Sequence, residues 1–252
     1  MFKSDTTNLN FTCYCVYNGS AKRTILLSNP LYVLGRILVQ IYARLMLRMD
    51  IHWHDALPSG PKLFVANHPS ATDPFLIHLV SPQPMSVLIT VNAFTVPVLG
   101  FYLRKIRQIC VDPKQGSAAL EEAQRLLAAG RPVAIFPEGL ISPKEGGFNP
   151  PRTGAARLAL TTGVPVIPVG IYLPPERTLR ITSGISGKTT TANWYLRGPY
   201  SITVGQTIQF DGSVEDREKV HGVTHHIMEH IRALTQESEQ RLRRRRLARS
   251  PV

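Results

Sequence analysis

The sequence predicts a single α/β domain with a mostly parallel or mixed sheet flanked by helices, preceded by an N-terminal amphipathic helix. Three observations predict it. Short runs rich in valine and isoleucine alternate with helix-like stretches from about residue 62 to about residue 210, as buried strands joined by crossover helices do. With 252 residues, 43% of them apolar and 18% charged, the chain can bury one large core, which sets aside the disordered, collagenous and disulfide-scaffold classes. Ahead of the first run, Leu31 to Met49 carries apolar residues at helical spacing.

Taken in order, the first 20 residues are polar and lack the basic start, apolar stretch and cleavage site of a secretory signal, so export is not expected. In Leu31 to Met49, Arg36, Gln40, Arg44 and Arg48 recur every four residues on one side. Leu31, Leu34, Ile37, Leu38, Ile41, Tyr42, Leu45 and Met49 form the other side. The arginines keep the segment short of the ~18 uninterrupted apolar residues that a spanning helix needs, and a helix lying in a bilayer interface fits the pattern, with an ordinary core helix as the alternative. A polar, proline-bearing connection, Asp50 to Pro61, follows, with His52 and His54 expected in solvent.

Strands are expected at Lys62 to Ala66, Ser86 to Val91, Ile106 to Val111, Pro132 to Phe136, Val164 to Ile171, Leu179 to Thr182 and Ser201 to Gln209. Gly116 to Ala129 is a helix stopped by Gly130 and Arg131-Pro132, and Thr153 to Thr162 is another, stopped by Gly163. A last helix starts near Ser213 or Asp216, with Val220, Val223, Ile227, Ile231 and Leu234 on one stripe. Beyond it, Arg241, Arg243 to Arg246 and Arg249 read as a solvated basic tail or one drawn to anionic lipid. The organisation is therefore residues 1–50 as the N-terminal segment with its interfacial helix, 51–236 as the α/β domain and 237–252 as the tail.

Lysine and arginine number 29 against 17 acidic residues, a net charge of +12 that calls for an anionic partner, nucleic acid or anionic lipid. No nucleic-acid-reading motif interleaves with the basic residues, so lipid is expected and nucleic acid is not. Cys13, Cys15 and Cys110 form no C-x-x-C pair, which gives neither a zinc site nor a disulfide framework. His226-Ile-Met-Glu-His230 matches a zinc pattern literally, but Ile227 lies on the core stripe, and a polar helix face is the simpler reading. Gly184 to Thr189 resembles a phosphate loop except that Thr182 stands where its first glycine belongs. No metal and no cofactor are expected.

Two strand ends carry the chemistry. Lys62 to Ala66 runs into Asn67-His68-Pro69-Ser70-Ala71-Thr72-Asp73, which places His68 at a strand's carboxyl end, where α/β sheets form their ligand crevices. A helix starting near Ala71 returns Asp73 to His68. A carboxylate on one ring nitrogen sets the tautomer and stabilises the imidazolium, leaving the other nitrogen as a general base, although Asp73 as a plain helix cap is the alternative. Pro132 to Phe136 ends in Phe136-Pro137-Glu138-Gly139, where Glu138 either accepts hydrogen bonds from a polar substrate or is a solvated turn residue, and Gly139 permits close backbone approach. Two prolines in Val164-Pro-Val-Ile-Pro168 argue for an edge strand or a bulge.

In combination these residues resemble the glycerolipid acyltransferase family, whose best-known members are lysophosphatidate (1-acylglycerol-3-phosphate) acyltransferases. The family's His-x-x-x-x-Asp motif is similar to Asn67 to Asp73, its Phe-Pro-Glu-Gly motif to Phe136 to Gly139, and its late Val-Pro-hydrophobic-hydrophobic-Pro motif to Val164 to Pro168. A basic residue ahead of a Gly-Ala helix, here Arg152, also matches. The resemblance runs from about residue 30 to about 210 and includes the family's membrane-docking helix. It departs at Leu140-Ile141-Ser142, where the family has Thr-Arg-Ser, and at Gly100 with Ile109-Cys110-Val111-Asp112-Pro113, where an arginine is again replaced. Arg107, Lys114 or Arg152 are then the candidates to hold a phosphate.

The resemblance implies an O-acyltransferase working at the cytoplasmic face of a membrane as a peripheral or monotopic protein. His68 would deprotonate a hydroxyl that attacks an acyl thioester directly, and Asp73 would orient His68. Phe136, Pro137, Glu138, Gly139 and Arg152 would bind substrate. Acyl-coenzyme A or acyl carrier protein is the implied donor substrate, and a lysophospholipid, lysophosphatidate first among them, the implied acceptor. The alternatives are a different lysolipid acceptor or a catalytically idle lipid-binding relative, with a nucleic-acid-binding protein more remote.

Overall fold

A computed structural model of the chain describes residues 29–114, 116–185 and 188–248. Cys13, Cys15, Arg249 and the Ser186-Gly187 centre of the phosphate-loop-like segment lie outside the described residues. The chain enters helix α1 (Pro30–Met46), which Asn29 caps by accepting from Leu31 N at 2.9 Å, with Pro30 in the first turn where its missing N–H costs nothing. It then runs through β1 (Leu47–Trp53), β2 (Leu63–Ala66), the short helix α2 (Asp73–Leu76) with a 3₁₀ turn (Ile77–Leu79), β3 (Ser86–Thr90), α3 (Val91–Thr95), α4 (Pro97–Lys105), β4 (Ile109–Val111) and α5 (Gly116–Ala128). The second half comprises β5 (Val133–Ile135), α6 (Gly154–Thr162), β6 (Val166–Tyr172), β7 (Leu179–Ile185), β8 (Lys188–Trp194), β9 (Gly198–Val204) and α7 (Arg217–Leu247).

Seven strands form one sheet in the order β1-β9-β6-β2-β5-β3-β4, and β7 and β8 make a separate antiparallel hairpin. Strands β2 to β6 are mutually parallel, β9 turns antiparallel on β6, and β1 pairs parallel with β9, so the mixed sheet is the one the sequence predicts. At its centre β2 is buried along its whole length, with Val65 opposite Ile135 on one side and Pro168 on the other. Pro168 therefore sits inside a central strand, where Gly205 N donates to its carbonyl at 2.9 Å; the edge position expected from the prolines is corrected.

Each face of the sheet has its own core. Phe64, Leu76, Met85, Leu103, Ile167 and Tyr200 pack on the side of α1 and α4, while Leu63, Val65, Leu127, Leu158, Ile227 and Ile231 pack beneath α5, α6 and α7. Gly170 lets α7 lie directly on β6, since a Cβ there would stand 2.2 Å from the backbone of Leu234 and Thr235.

Two local expectations are corrected, and three elements were not foreseen. Leu47 to Trp53 is a strand, because Leu47, Met49, Ile51 and Trp53 alternate with Arg48, Asp50 and His52 at the two-residue period of a half-buried edge. Helices α3 and α4, separated at the extended Val96, and β8, a threonine-rich run with no hydrophobic alternation, were not foreseen. The supposed tail from residue 237 is the continuation of a 31-residue helix in which Ser238 and Leu242 are buried. Expected boundaries at residues 50 and 236 therefore cut through β1 and α7.

Helix α1 turns Arg36 inward, while Gln40 and Arg44 on the same side stay exposed. Arg36 Nη1 donates to the carbonyls of His78 (3.0 Å) and Ser81 (2.5 Å), and Tyr32 and Ala43 are buried. The apolar arc faces out, with Leu34 53%, Leu38 58% and Leu45 76% exposed. Tyr42 is the exception, its hydroxyl donating to Leu196 O at 2.8 Å. Val98 and Phe101 of the adjoining α4 are exposed too, and α4 is tied to α1 where Tyr102 packs against Gly35. Among the described residues no helix is long and apolar enough to cross a membrane.

Candidate active site

His68 follows the carboxyl end of β2. Asn67 extends the sheet past that end with its side chain: Nδ2 donates to Ile171 O at 2.8 Å and Oδ1 accepts from Ile171 N at 2.7 Å, as a further ladder residue would. The chain then turns through Pro69 and Ser70, and α2 brings Asp73 back. His68 Nδ1 stands 3.0 Å from Asp73 Oδ2. A carboxylate accepts only, so Nδ1 carries the proton and Nε2 presents a lone pair. Nε2 has no protein hydrogen-bond partner among the described residues, and the side chain keeps 15% exposure.

Asp73 is wholly buried and held on both oxygens. Oδ2 also accepts from Ser70 N at 2.7 Å, and Oδ1 accepts from the Tyr200 hydroxyl at 2.7 Å. Burial first, and then the charge of Asp73, push the Tyr200 phenol well above its ordinary pKa, which keeps it a donor. The helix-cap alternative for Asp73 is thereby excluded as its main role: the carboxylate is the hub joining His68, Ser70 and Tyr200.

Phe136, Pro137 and Glu138 build the surroundings of His68. The Phe136 ring stacks on the imidazole at a centroid distance of 4.4 Å and 23° between planes. Pro137 O accepts from Arg152 N at 2.8 Å. Glu138, expected to meet substrate or solvent, does neither: it is 2% exposed and its oxygens are taken by protein donors. Oε1 accepts from His68 N (3.2 Å) and Ser142 Oγ (2.6 Å), and Oε2 from Asn149 N (2.7 Å) and Nδ2 (3.2 Å). Ser142 N donates to His68 O at 2.7 Å, so the loop after β5 grips the His68 backbone from both sides. Glu138 is a positioning residue, and burying its charge is compensated by these donors.

Gly139 and Arg152 form the open part. Gly139 has φ +66°, and a Cβ there would stand 2.7 Å from Arg152 Nε, so the guanidinium stem lies directly on the glycine. Arg152 is exposed, and among the described residues its side chain makes no hydrogen bond or ion pair. Leu140 beside it is 61% exposed. The other two phosphate candidates are elsewhere. Arg107 precedes β4 at the amino end of the sheet, its carbonyl accepting from Ser86 Oγ, and Lys114 follows the edge strand β4, three strands from β2. Gly100 serves packing, since a Cβ would stand 2.1 Å from Phe94 O.

Sequence reasoning missed Tyr200, Ser142 and Asn149. Ser142 and Asn149 lie in the loop after β5 and carried a weak signal as polar residues near the Glu138 turn; Tyr200 lies 127 residues from Asp73, just ahead of the strand expected at Ser201 to Gln209, and carried no signal of a role at the site.

The Acyltransferase family profile matches residues 48–172, a span that holds all of these residues except Tyr200. The chloroplastic 1-acyl-sn-glycerol-3-phosphate acyltransferase BAT2 of Brassica napus is 32% identical over 127 residues, 48% of this chain and 36% of that protein. The 1-acyl-sn-glycerol-3-phosphate acyltransferase of Pseudomonas aeruginosa is 28% identical over 138 residues, 51% of this chain and 52% of that protein. The matched region thus spans about a third to a half of these curated relatives. In structure, the 1-acyl-sn-glycerophosphate (LPA) acyltransferase PlsC of Thermotoga maritima is similar at a TM-score of 0.55 and 20% identity, covering 86% of this chain and 85% of that one, a likeness of fold.

Proposed function

The chain belongs to the acyltransferase family, and on that premise we propose that it transfers a fatty acyl group from an acyl thioester to a hydroxyl of a lysophospholipid, working at a membrane surface. The observation that carries the reading is the His68–Asp73 pair at 3.0 Å, with Nε2 free of protein partners among the described residues at the mouth of the sheet. Nε2 takes the proton of the acceptor hydroxyl as its oxygen attacks the thioester carbonyl carbon. The tetrahedral intermediate expels the thiolate, which takes that proton back from the imidazolium and leaves as the free thiol. Asp73 holds the ring throughout and offsets its transient charge. No acyl-enzyme is required.

Acyl-coenzyme A or acyl carrier protein supplies the thioester as a substrate, not as a resident cofactor. Lysophosphatidate is the favoured acceptor, because the Arg152 guanidinium on Gly139, unpaired among the described residues, is a phosphate ligand in waiting. The outward apolar face of α1, with Val98 and Phe101 of α4, supports docking into the interface, and the charge of +12 favours an anionic cytoplasmic leaflet.

The test is transfer of labelled acyl groups from both donors to lysophosphatidate and to phosphate-free lysolipids. His68→Ala is expected to lower kcat by about 10²–10⁴-fold. Arg152→Ala is expected to raise KM for lysophosphatidate and leave it unchanged for phosphate-free acceptors. No transfer to any acceptor, from protein that still binds anionic vesicles, overturns the enzyme reading in favour of lipid binding alone.

A further inference from the structure

A second cluster of chemically competent side chains lies away from the His68 site, where edge strand β1 meets α7. Alternation along β1 puts Asp50, His52 and His54 on the side of the sheet that α7 covers. Two-residue steps along a strand advance ~6.6 Å and four-residue steps along a helix ~6 Å, so the two elements stay in register as they cross. At one end of this register Asp50 pairs with Arg241 and with Arg245. One helical turn earlier the polarity reverses: Glu237 is the acid and His54 faces it, Nε2 to Oε2 at 2.8 Å.

His52 completes the group. Its ring lies 5.7 Å from that of His54 between centroids, at 68°, and makes no hydrogen bond among the described residues. One donor atom from each of His52, His54 and Glu237 lies within 4.8 Å of the other two. Around a tetrahedral ion with ligands at ~2.0–2.1 Å, donor atoms stand ~3.4 Å apart, a contraction that these partly exposed side chains reach by rotation. Arg241, 3.9 Å from Glu237 Oε1, does not occupy the site: its guanidinium is committed to Asp50, Thr203 Oγ1 and Ile202 O.

We propose that His52, His54 and Glu237 bind one divalent transition-metal ion of the zinc class, which staples β1 to α7. Two imidazoles and one carboxylate are a zinc-type donor set with a fourth position open to water, and they disfavour Mg²⁺ or Ca²⁺, which take oxygen ligands. The staple would join the strand that leads directly out of α1 to the helix that closes the opposite end of the chain. His52 and His54 are exposed, as the sequence led us to expect, but His54 is also paired with Glu237. The literal zinc pattern on α7 is a poorer site: His226 and His230 bring their Nε2 atoms to 3.2 Å, but Glu229 leans to His225.

The proposal is independent of acyl transfer and is tested on the full chain, stripped of metal and titrated with ZnCl₂ by calorimetry, with thermal unfolding and Co²⁺ visible absorption alongside. The expected result is one Zn²⁺ per chain, a zinc-dependent rise in Tm and tetrahedral Co²⁺ bands. His52→Ala removes a ligand without disturbing the His54–Glu237 pair, and is expected to weaken zinc binding about tenfold or more and abolish the rise in Tm. Glu237→Gln should act alike, while the double variant His226→Ala with His230→Ala should bind zinc as the wild type does. Absence of zinc binding to the wild type, undiminished binding by His52→Ala, or loss of binding in the double variant each overturns the assignment.

Discussion

Asp73 carries the site because its two oxygens answer to different parts of the chain. One takes Nδ1 of His68 and the amide of Ser70; the other takes the hydroxyl of Tyr200. Removing one donor from a buried carboxylate loosens its hold on the imidazole and leaves the charge less compensated. Tyr200→Phe is therefore expected to lower stability by about 1–3 kcal/mol in denaturant unfolding and kcat about tenfold, the equivalent of one weakened hydrogen bond. KM should hardly move, since Tyr200 is buried behind Asp73. An unchanged kcat would remove Tyr200 from the positioning of His68. At this scale His68 and Asp73 were legible, being five residues apart on a strand end and a turn. Glu138 was legible as important but not in its role, because nothing local to it announces that Asn149 will close over its carboxylate.

Helix α1 docks by a buried polar triad that is sensitive to acid. The Tyr32 hydroxyl accepts from Met85 N at 3.1 Å and donates to His78 Nδ1 at 3.1 Å, while Arg36 holds the His78 carbonyl. Burial, reinforced by Arg36 and Arg131, pushes the His78 imidazole down to about 3. An unfolded histidine titrates near ~6.5, so between these values the unfolded chain binds a proton that the folded chain refuses, and stability falls as the pH drops, by up to about 1.4 kcal/mol per pH unit. Denaturant midpoints measured from pH 7 towards pH 4 should show this loss, and His78→Gln, which keeps an acceptor for Tyr32, should flatten it. The outer face of the same helix is expendable for folding. Leu38→Glu combined with Ile41→Glu should abolish co-sedimentation with anionic vesicles while changing unfolding by no more than about 0.5 kcal/mol per site. The sequence pattern identified this apolar arc correctly as far as Leu45; it ran on to Met49 because one helical period and one strand period coincide where β1 begins.

Across the whole molecule, α7 ties the antiparallel margin of the sheet to its parallel centre. Ser238 Oγ lies 2.6 Å from Thr203 Oγ1 on β9 and donates to Gly170 O on β6, and Arg241 joins Asp50 of β1 to Thr203 and Ile202 of β9. Arg241→Ala leaves Asp50 with Arg245 and the long hydrogen bond from Ser201 Oγ, and should cost about 1.5–3 kcal/mol in unfolding free energy, read as a lower denaturant midpoint with an unchanged slope. A cost below about 0.5 kcal/mol would mean that these residues behave as the solvated tail their composition suggests. By itself the sequence determined the alternating α/β order, the existence of strands β2, β5 and β6, the apolar arc of α1 and the convergence of His68 with Asp73. Each of these is written in contiguous apolar runs, turn residues or short spacings, and so acts through local geometry. Tertiary structure alone decided that Leu47 to Trp53 pairs with β9, that Glu138 is enclosed, that Tyr200 reaches Asp73 and that Arg241 and Leu242 of α7 pack on the sheet. In every such case a polar group is buried or exposed according to which distant segment is laid over it, and that choice rests on long-range pairing that no neighbouring residue encodes.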